Sequence, residues 1–368
     1  MSKRKLLVMP LVVLGLAAGV GCERKIVNET APNLAASACF TCHGDQEFDL
    51  VAAQQQWQNS IHASGNNINR NRNYASQYQT CERCHTNEGF IATLTGVPAT
   101  GEYFTAIGCF TCHQPHTNGN LNVRVSGPTT LANGVSFDYG NANLCARCHQ
   151  SRENVLTYVF DGVKMTTRFG PHYSDQGDML AGTGGYEYTG YVYENSAHTG
   201  VATDGCIDCH MTGTQANLVG GHTWNMRNEE HEMINLVGCN QQACHGATGA
   251  LTTLNRTSDD DFDEDGTTEG VQDEIHGLMA ELGEALVAAE LMTGNEEIGF
   301  TPKNNRVVSD KDSAGAVYNF RIVYGERSWG IHNTEYIVGL LKSSLNYIAT
   351  GDPSGVAPRD KRDLLTAH

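Results

Sequence analysis

Residues 109–116 read Cys-Phe-Thr-Cys-His-Gln-Pro-His, and no other stretch constrains the chain as strongly. Two thiols three positions apart with a histidine directly after the second form the attachment pattern of a c-type haem. The thiols add across the two vinyl groups of one porphyrin, and the adjacent histidine is carried under the iron as its axial ligand. His116 follows three residues later, beyond Pro115. It cannot swing to the opposite face of the same ring, so as a ligand it would serve a neighbouring haem. One octapeptide would then join two irons, a local device for holding a row of haems.

The pattern recurs as Cys39-Phe-Thr-Cys42-His43, Cys81-Glu-Arg-Cys84-His85, Cys145-Ala-Arg-Cys148-His149 and Cys206-Ile-Asp-Cys209-His210. Cys239 and Cys244-His245 form a longer relative with four residues between the thiols. With Cys109, Cys112 and His113 these give six sites and use twelve of the thirteen cysteines. Cys-x-x-Cys pairs with histidines also read as zinc sites. Zinc, however, has no need for a histidine directly after every second cysteine, and a disulfide framework has less need still. The order Cys-Phe-Thr-Cys-His then Cys-x-Arg-Cys-His occurs at 39–85 and again at 109–149, which reads as one two-haem unit used twice.

Six flat apolar cofactors change what the chain must do for itself. With 40 glycines and 40% hydrophobic residues, it is expected to pack around its haems rather than against itself. Thioether links and iron ligation would replace much of a core, as staples do in small domains. The apoprotein is accordingly expected to be largely unfolded. A net charge of −17 makes nucleic acid and anionic lipid poor partners and favours cationic protein surfaces or an oxidised metal. It also keeps an exported protein soluble.

Residues 1–21 carry Lys3, Arg4 and Lys5 before an apolar run ending at Gly19-Val20-Gly21, the pattern of an export signal. Cys22, the one cysteine no haem needs, stands where a bacterial lipoprotein would be cleaved and lipidated. Residues 22–38 read as a tether, 39–250 as the haem-binding region, 251–272 as an acidic linker, 273–350 as a helical region and 351–368 as a tail. Gly, Asn, Thr and Pro dominate 115–142, and the β-prone run Leu121–Val125 suggests a small hairpin. In the linker, Asp261-x-Asp263-x-Asp265-Gly266 resembles the start of a calcium loop, but its twelfth position is Gln272. A solvated acidic linker is the competing reading. Ile275, Leu278, Met279, Leu282 and Leu286 follow helical spacing. A second helix is predicted from Asp312 as N-cap to about Tyr324, and a third after Asn333 with Ile337, Leu340, Leu341, Leu345 and Ile348 on one face.

Nine histidines lie outside the attachment motifs. His62 and His198 share an aromatic-x-Asn-Ser-x-His or closely similar context, and His172 and His222 lie in glycine-rich loops that permit close backbone approach to a flat ring. His332 sits at a turn between two helices and His116 follows a proline. These six suit the second axial position; His231, His276 and His368 do not. Supply therefore matches demand, although spacing does not say which distal histidine serves which iron. An iron closed on both sides passes electrons and does not readily bind a substrate.

The ordered motifs, the Gly-Pro-His172 and Gly-Gly-His222-Thr loops, and the cysteine-free tail with Ser328-Trp-Gly-Ile-His332-Asn333 resemble the multihaem cytochrome c superfamily. That superfamily includes the pentahaem nitrite reductases and related octahaem enzymes. The resemblance implies that His332 is a distal haem ligand and that the long tail helices mediate a homodimer. The nitrite reductases place lysine after their catalytic Cys-x-x-Cys, and no such motif occurs here. The fold expected is mainly α with many loops, a multihaem scaffold with a C-terminal helical hairpin or bundle. The expected function is electron relay to other cytochromes or a terminal acceptor, from a lipid anchor at the cell envelope, its outer membrane, or outside the cell. The alternative is reduction of a small nitrogen or sulfur oxyanion at one haem with an open axial position.

Overall fold

A computed structural model describes residues 48–63, 81–99, 104–115, 121–213 and 217–355. The export signal, Cys22, the first attachment motif (Cys39, Cys42, His43) and His116 lie outside them. The helices in chain order are α1 (Phe48–Gln58), α2 (Glu82–His85), α3 (Asn87–Thr95), α4 (Cys109–Cys112), α5 (Val155–Tyr158), α6 (Gln176–Leu180), α7 (His198–Val201), α8 (Cys206–His210), α9 (Val271–Ala288), α10 (Lys311–Glu326) and α11 (Thr334–Thr350). The fold is helix and loop with four two-stranded sheets. Among the described residues no helix is long and apolar enough to cross a membrane.

Up to about residue 250 the attachment motifs dictate local structure. Three of the described ones coil into single turns, α2, α4 and α8. The expected hairpin forms: Gln114 N donates to Asn122 O, Arg124 N donates to Cys112 O, and His113 pairs with Val123. Apolar packing is sparse here, confined to small clusters around Phe137 and around Phe90 and Leu144.

The helical region is built differently. In α9, Val271, Ile275, Leu278, Leu282 and Leu286 are buried on one stripe, and Asp273 and Glu274 occupy the first turn, where the helix dipole favours anions. Asp310, rather than Asp312, caps α10: its carboxylate accepts from Asp312 N and Ser313 N. Asn333 caps α11 as expected, and Gly351 ends it in the left-handed conformation. The three helices form one core that also takes in Val155, Met165, Phe169, Tyr186 and Tyr188 from the haem-binding region. A short antiparallel pair, β1 (Val163–Lys164) with β2 (Val307–Val308), stitches the two regions together. Self-packing is thus sparse in the motif-bearing segments, while the tail, expected as a helical hairpin or bundle, builds an apolar core of its own. Spaced apolar residues on three long helices can bury each other without help. Nor is 251–272 merely a spacer, since Phe262 joins this core.

Beneath α10 lie two buried carboxyls, Asp175 and Asp178, neither with measurable exposure. Burial drives Asp178 up to about 7, although the Ser151 N–H donates to it at 2.6 Å. Burial raises Asp175 further still, with Asp178 and Glu326 adding to it. Between the unfolded and folded values the native state holds a proton that the unfolded chain has released. Stability should therefore fall as pH rises from about 4 towards 7. We expect Asp178→Asn to reduce that slope, so that thermal midpoints at pH 5 and pH 7.5 lie closer together than in the wild type.

Candidate haem-binding site

A recurring constraint within the attachment motifs is the bond from the histidine N–H to the carbonyl of the first cysteine. It measures 3.1 Å for His85–Cys81, 2.9 Å for His113–Cys109 and 2.8 Å for His149–Cys145. The long motif makes the same closure, His245 N to Cys239 O at 3.0 Å, with its extra residues looped out through Cys244 N to Gln241 O. Four intervening residues therefore allow the same closing hydrogen bond as two.

All ten described motif cysteines are free. They line a single cavity of about 3100 Å³, together with all five described motif histidines and five of the six distal candidates. A pocket for one small molecule spans roughly 300–1000 Å³. This one has room for several large occupants. Among the described residues no cysteine–histidine group converges as zinc would require; the one carboxylate, thiol or imidazole cluster that does is Asp261, Asp263 and Asp265. The zinc reading has no support in the geometry.

The histidines face each other in pairs across the cavity. Ring centres are 6.3 Å apart for His85 and His172, 6.2 Å for His113 and His222, 6.0 Å for His149 and His62, 6.3 Å for His210 and His332, and 6.2 Å for His245 and His198. Two metal–nitrogen bonds of about 2 Å laid end to end, plus the half-width of each five-membered ring, put the centres roughly 6 Å apart. The residues present fit an iron held between each pair. Every described motif histidine has one partner, and every described distal candidate is used once.

Second hydrogen bonds orient these rings. Nδ1–H of His113 donates to Leu121 O at 2.7 Å, that of His198 to Ile331 O at 2.7 Å, and that of His210 to Trp224 O at 2.8 Å. His149 donates to Gln176 Oε1 at 3.0 Å and His332 to the Glu326 carboxylate at 2.7 Å. A proton fixed on Nδ1 leaves the Nε2 lone pair available to a metal. Burial also holds His62 and His210 down to about 4, and His172 to about 4 with Arg152, His85 and Arg168 assisting. All three imidazoles are thereby neutral at pH 7, as ligands must be. For His332 burial pulls the same way, but the Glu326 hydrogen bond and charge outweigh it and leave the ring raised.

The distal loops show how distant segments converge. His172 adopts φ 99°, a strained value for a side-chain-bearing residue, and Gly170 at φ 135° lies so close to Arg321 that a Cβ there would meet the Arg321 Cβ at 2.7 Å. His222 N donates to Gln56 Oε1 at 3.0 Å, so α1 holds a loop 166 residues away. Trp224 touches three centres: its ring lies 4.5 Å from His62 and 5.7 Å from His222, while its carbonyl receives His210. Neighbouring motifs also interlock. Cys84 Sγ lies 4.0 Å from Arg147 O, and Cys148 Sγ lies 3.8 Å from Arg83 O. That reciprocal contact joins the two Cys-x-Arg-Cys-His motifs through equivalent atoms, as two copies related by a local twofold would meet.

Sequence reasoning missed Trp224, Gln176 and Glu326, for which no spacing rule exists. It named Asn333 only as a helix cap. His276, set aside as packing, stacks on Trp329 at 4.1 Å. In the acidic segment Asp261, Asp263 and Asp265 come within 4.8 Å of one another. Glu274, the nearest buried acid, spends its oxygens on the N–H groups of Phe262, Asp263 and Glu269.

No protein-family model matches the chain. Among characterised relatives, the C-type polyheme cytochrome OmcC of Geobacter sulfurreducens is 27% identical over an alignment 235 long that covers 49% of this chain and 30% of that protein. OmcB, a second C-type polyheme cytochrome of the same species, is 23% identical over an alignment 348 long that covers 75% of this chain and 45% of that protein. The chain thus spans less than half the length of the relatives it matches. The solved structure of the outer cell wall cytochrome OcwA has a TM-score of 0.48 and 18% identity, over 80% of this chain and 49% of that one. The chain is thus similar in sequence to polyheme c-type cytochromes. Its own scaffold is helical and loop-rich, with a three-helix tail.

Proposed function

We propose that the chain is an exported hexahaem cytochrome that relays electrons at the cell envelope or outside the cell, with a histidine on each side of every iron. The observation that carries this reading is the set of five histidine pairs at 6.0–6.3 Å, each joining a motif histidine to a distal candidate. By elimination His116 is assigned to His43, both outside the described residues. A haem, when bound, supplies a one-electron ferric/ferrous couple. The protein's own part is to fill both axial positions, hold each imidazole in one tautomer and exclude water. Reductase activity at an open iron finds no support among the five pairs.

The relatives' name, polyheme cytochrome, and the acidic charge support partners that are other cytochromes or a terminal acceptor with a cationic face. Anchoring through Cys22 rests on the sequence pattern. A homodimer through the tail would have to use the outer faces of its helices, because α10 is buried along most of its length. Calcium belongs to the proposal only as an ion held by Asp261, Asp263 and Asp265, since Glu274 is committed to backbone N–H groups.

Two measurements on the mature holoprotein check the reading. Intact mass should report six haems and a diacylglyceryl group at Cys22. EPR of the oxidised protein should show low-spin ferric iron throughout. A high-spin ferric signal that shifts on adding nitrite or sulfite would instead establish the reductase.

A further inference from the structure

Five of the ten paired rings have a resolved Nδ1 partner, and four of those partners are neutral: three backbone carbonyls and the Gln176 amide. Of these five, His332 is the one that donates to a carboxylate, Glu326 Oε2 at 2.7 Å. The Glu326 side chain has 0% exposure, and no lysine or arginine pairs with it among the described residues. Its other oxygen accepts from Ser328 N at 3.0 Å and Ser328 Oγ at 2.8 Å, and Ser328 Oγ in turn accepts from His332 N. Three contacts therefore lock the anion in one orientation towards the ring.

We propose that Glu326 is a potential-setting residue, whose buried charge selectively favours the ferric state of the iron held between His210 and His332. The inference rests on the paired-histidine reading above. A charge-assisted hydrogen bond from Nδ1 gives the imidazole anionic character and makes it a stronger donor to the metal. Extra electron density, and a fixed negative charge in a medium of low dielectric, both stabilise the more positive oxidation state. Among the described residues the Glu326 carboxylate contacts the His332 ring and no other paired histidine ring, so its effect centres on one iron. Glu326 also reaches the adjoining pair by a neutral route. Its backbone carbonyl accepts from Gln176 Nε2 at 3.1 Å, and Gln176 Oε1 accepts from His149. The two neighbouring sites thus share a residue, but one sees its charge and the other its carbonyl.

The test is a potentiometric titration of the full-length holoprotein, followed by Soret absorbance and EPR, for the wild type, Glu326→Gln and Glu326→Asp. Glutamine keeps an acceptor for Nδ1–H and removes the charge. One of the six one-electron steps should move to higher potential by at least tenfold in its ferric/ferrous equilibrium, about 59 mV, with the other five unmoved. Glu326→Asp should place that step between the two. If Glu326→Gln loses haem, the aspartate variant decides: the carboxylate withdrawn by one methylene should shift the same step upward. Six unchanged potentials beside a fully low-spin wild type would overturn the role of Glu326 and leave the ligation intact. A high-spin signal from wild-type protein at this site would overturn both.

Discussion

Replacing Asn333 with alanine should cost roughly 3–5 kcal/mol of stability, as several buried groups lose their partner together. Its Nδ2 donates to Met179 O, Asn195 Oδ1 and Thr199 Oγ1 at 3.1, 2.7 and 3.1 Å. Its Oδ1 accepts from Ser196 N and Oγ and from Tyr336 N, the last being the cap of α11. The residue has no exposure, so water cannot replace what is removed. Loss of a cap alone costs about 1 kcal/mol; the remainder comes from the stranded groups around Ser196. Denaturant unfolding followed by far-UV circular dichroism checks the magnitude. Asn333→Asp is the sharper variant. It keeps the cap and the Ser196 contacts, but exchanges three donor contacts for a buried negative charge, and should be no more stable than the alanine form. A loss below about 1 kcal/mol for both would mean that Asn333 is a cap and nothing more.

The second large effect is spectroscopic. His62→Ala should convert one of the six low-spin ferric centres to high spin, and the centre affected should be the one attached at Cys145 and Cys148. His62 lies closer in sequence to His43 and to His85, yet its ring faces His149 at 6.0 Å. EPR counts the centres that change, and a haem-resolved crystal structure of the variant locates the changed one. An open iron at Cys81 and Cys84 would break the pairing set out here, because that site is already matched by His172. The substitution also removes the edge of an aromatic contact with Trp224. Trp224 should therefore shift, and with it the carbonyl that orients His210.

Both predictions draw on the turn between α10 and α11. Residues 326–333 supply the anion for His332, the carbonyl that orients His198, the carbonyl that holds Gln176 against His149, and the Asn333 network that fixes the His198 loop. Arg327, Trp329 and Gly330 all take positive φ in this turn, with Gly330 at 96° pressed so close that a Cβ would meet Val271 at 2.9 Å. A tail that contains no cysteine thereby positions groups at three of the paired-histidine sites. The self-packed core of α9, α10 and α11 gives it the rigidity to do so.

Part of this was legible in the chain alone. The attachment motifs, the helical stripes of α9 and α11, the Asn333 cap and the hairpin at 121–125 all depend on residues a few positions apart, where periodicity and turn chemistry speak directly. The structure places each described ligand candidate opposite a motif histidine, while the His276 ring lies against Trp329. One local expectation needed correction: Asp310 and not Asp312 caps α10, because its carboxylate reaches the N–H groups of Asp312 and Ser313. The tail helices were legible from their stripes, but composition averaged over the whole chain hid the core that they make together.

By itself the sequence determined which cysteines and adjacent histidines carry the spacing of an attachment motif, since that pattern needs nothing beyond five to seven consecutive residues. Only the tertiary structure decided which imidazole stands opposite which, and which of them leans on a buried charge. Those contacts join segments up to 166 residues apart, as between Gln56 and His222. Chain spacing carries no trace of them, because closing so long a loop costs almost the same wherever along the chain its partner lies.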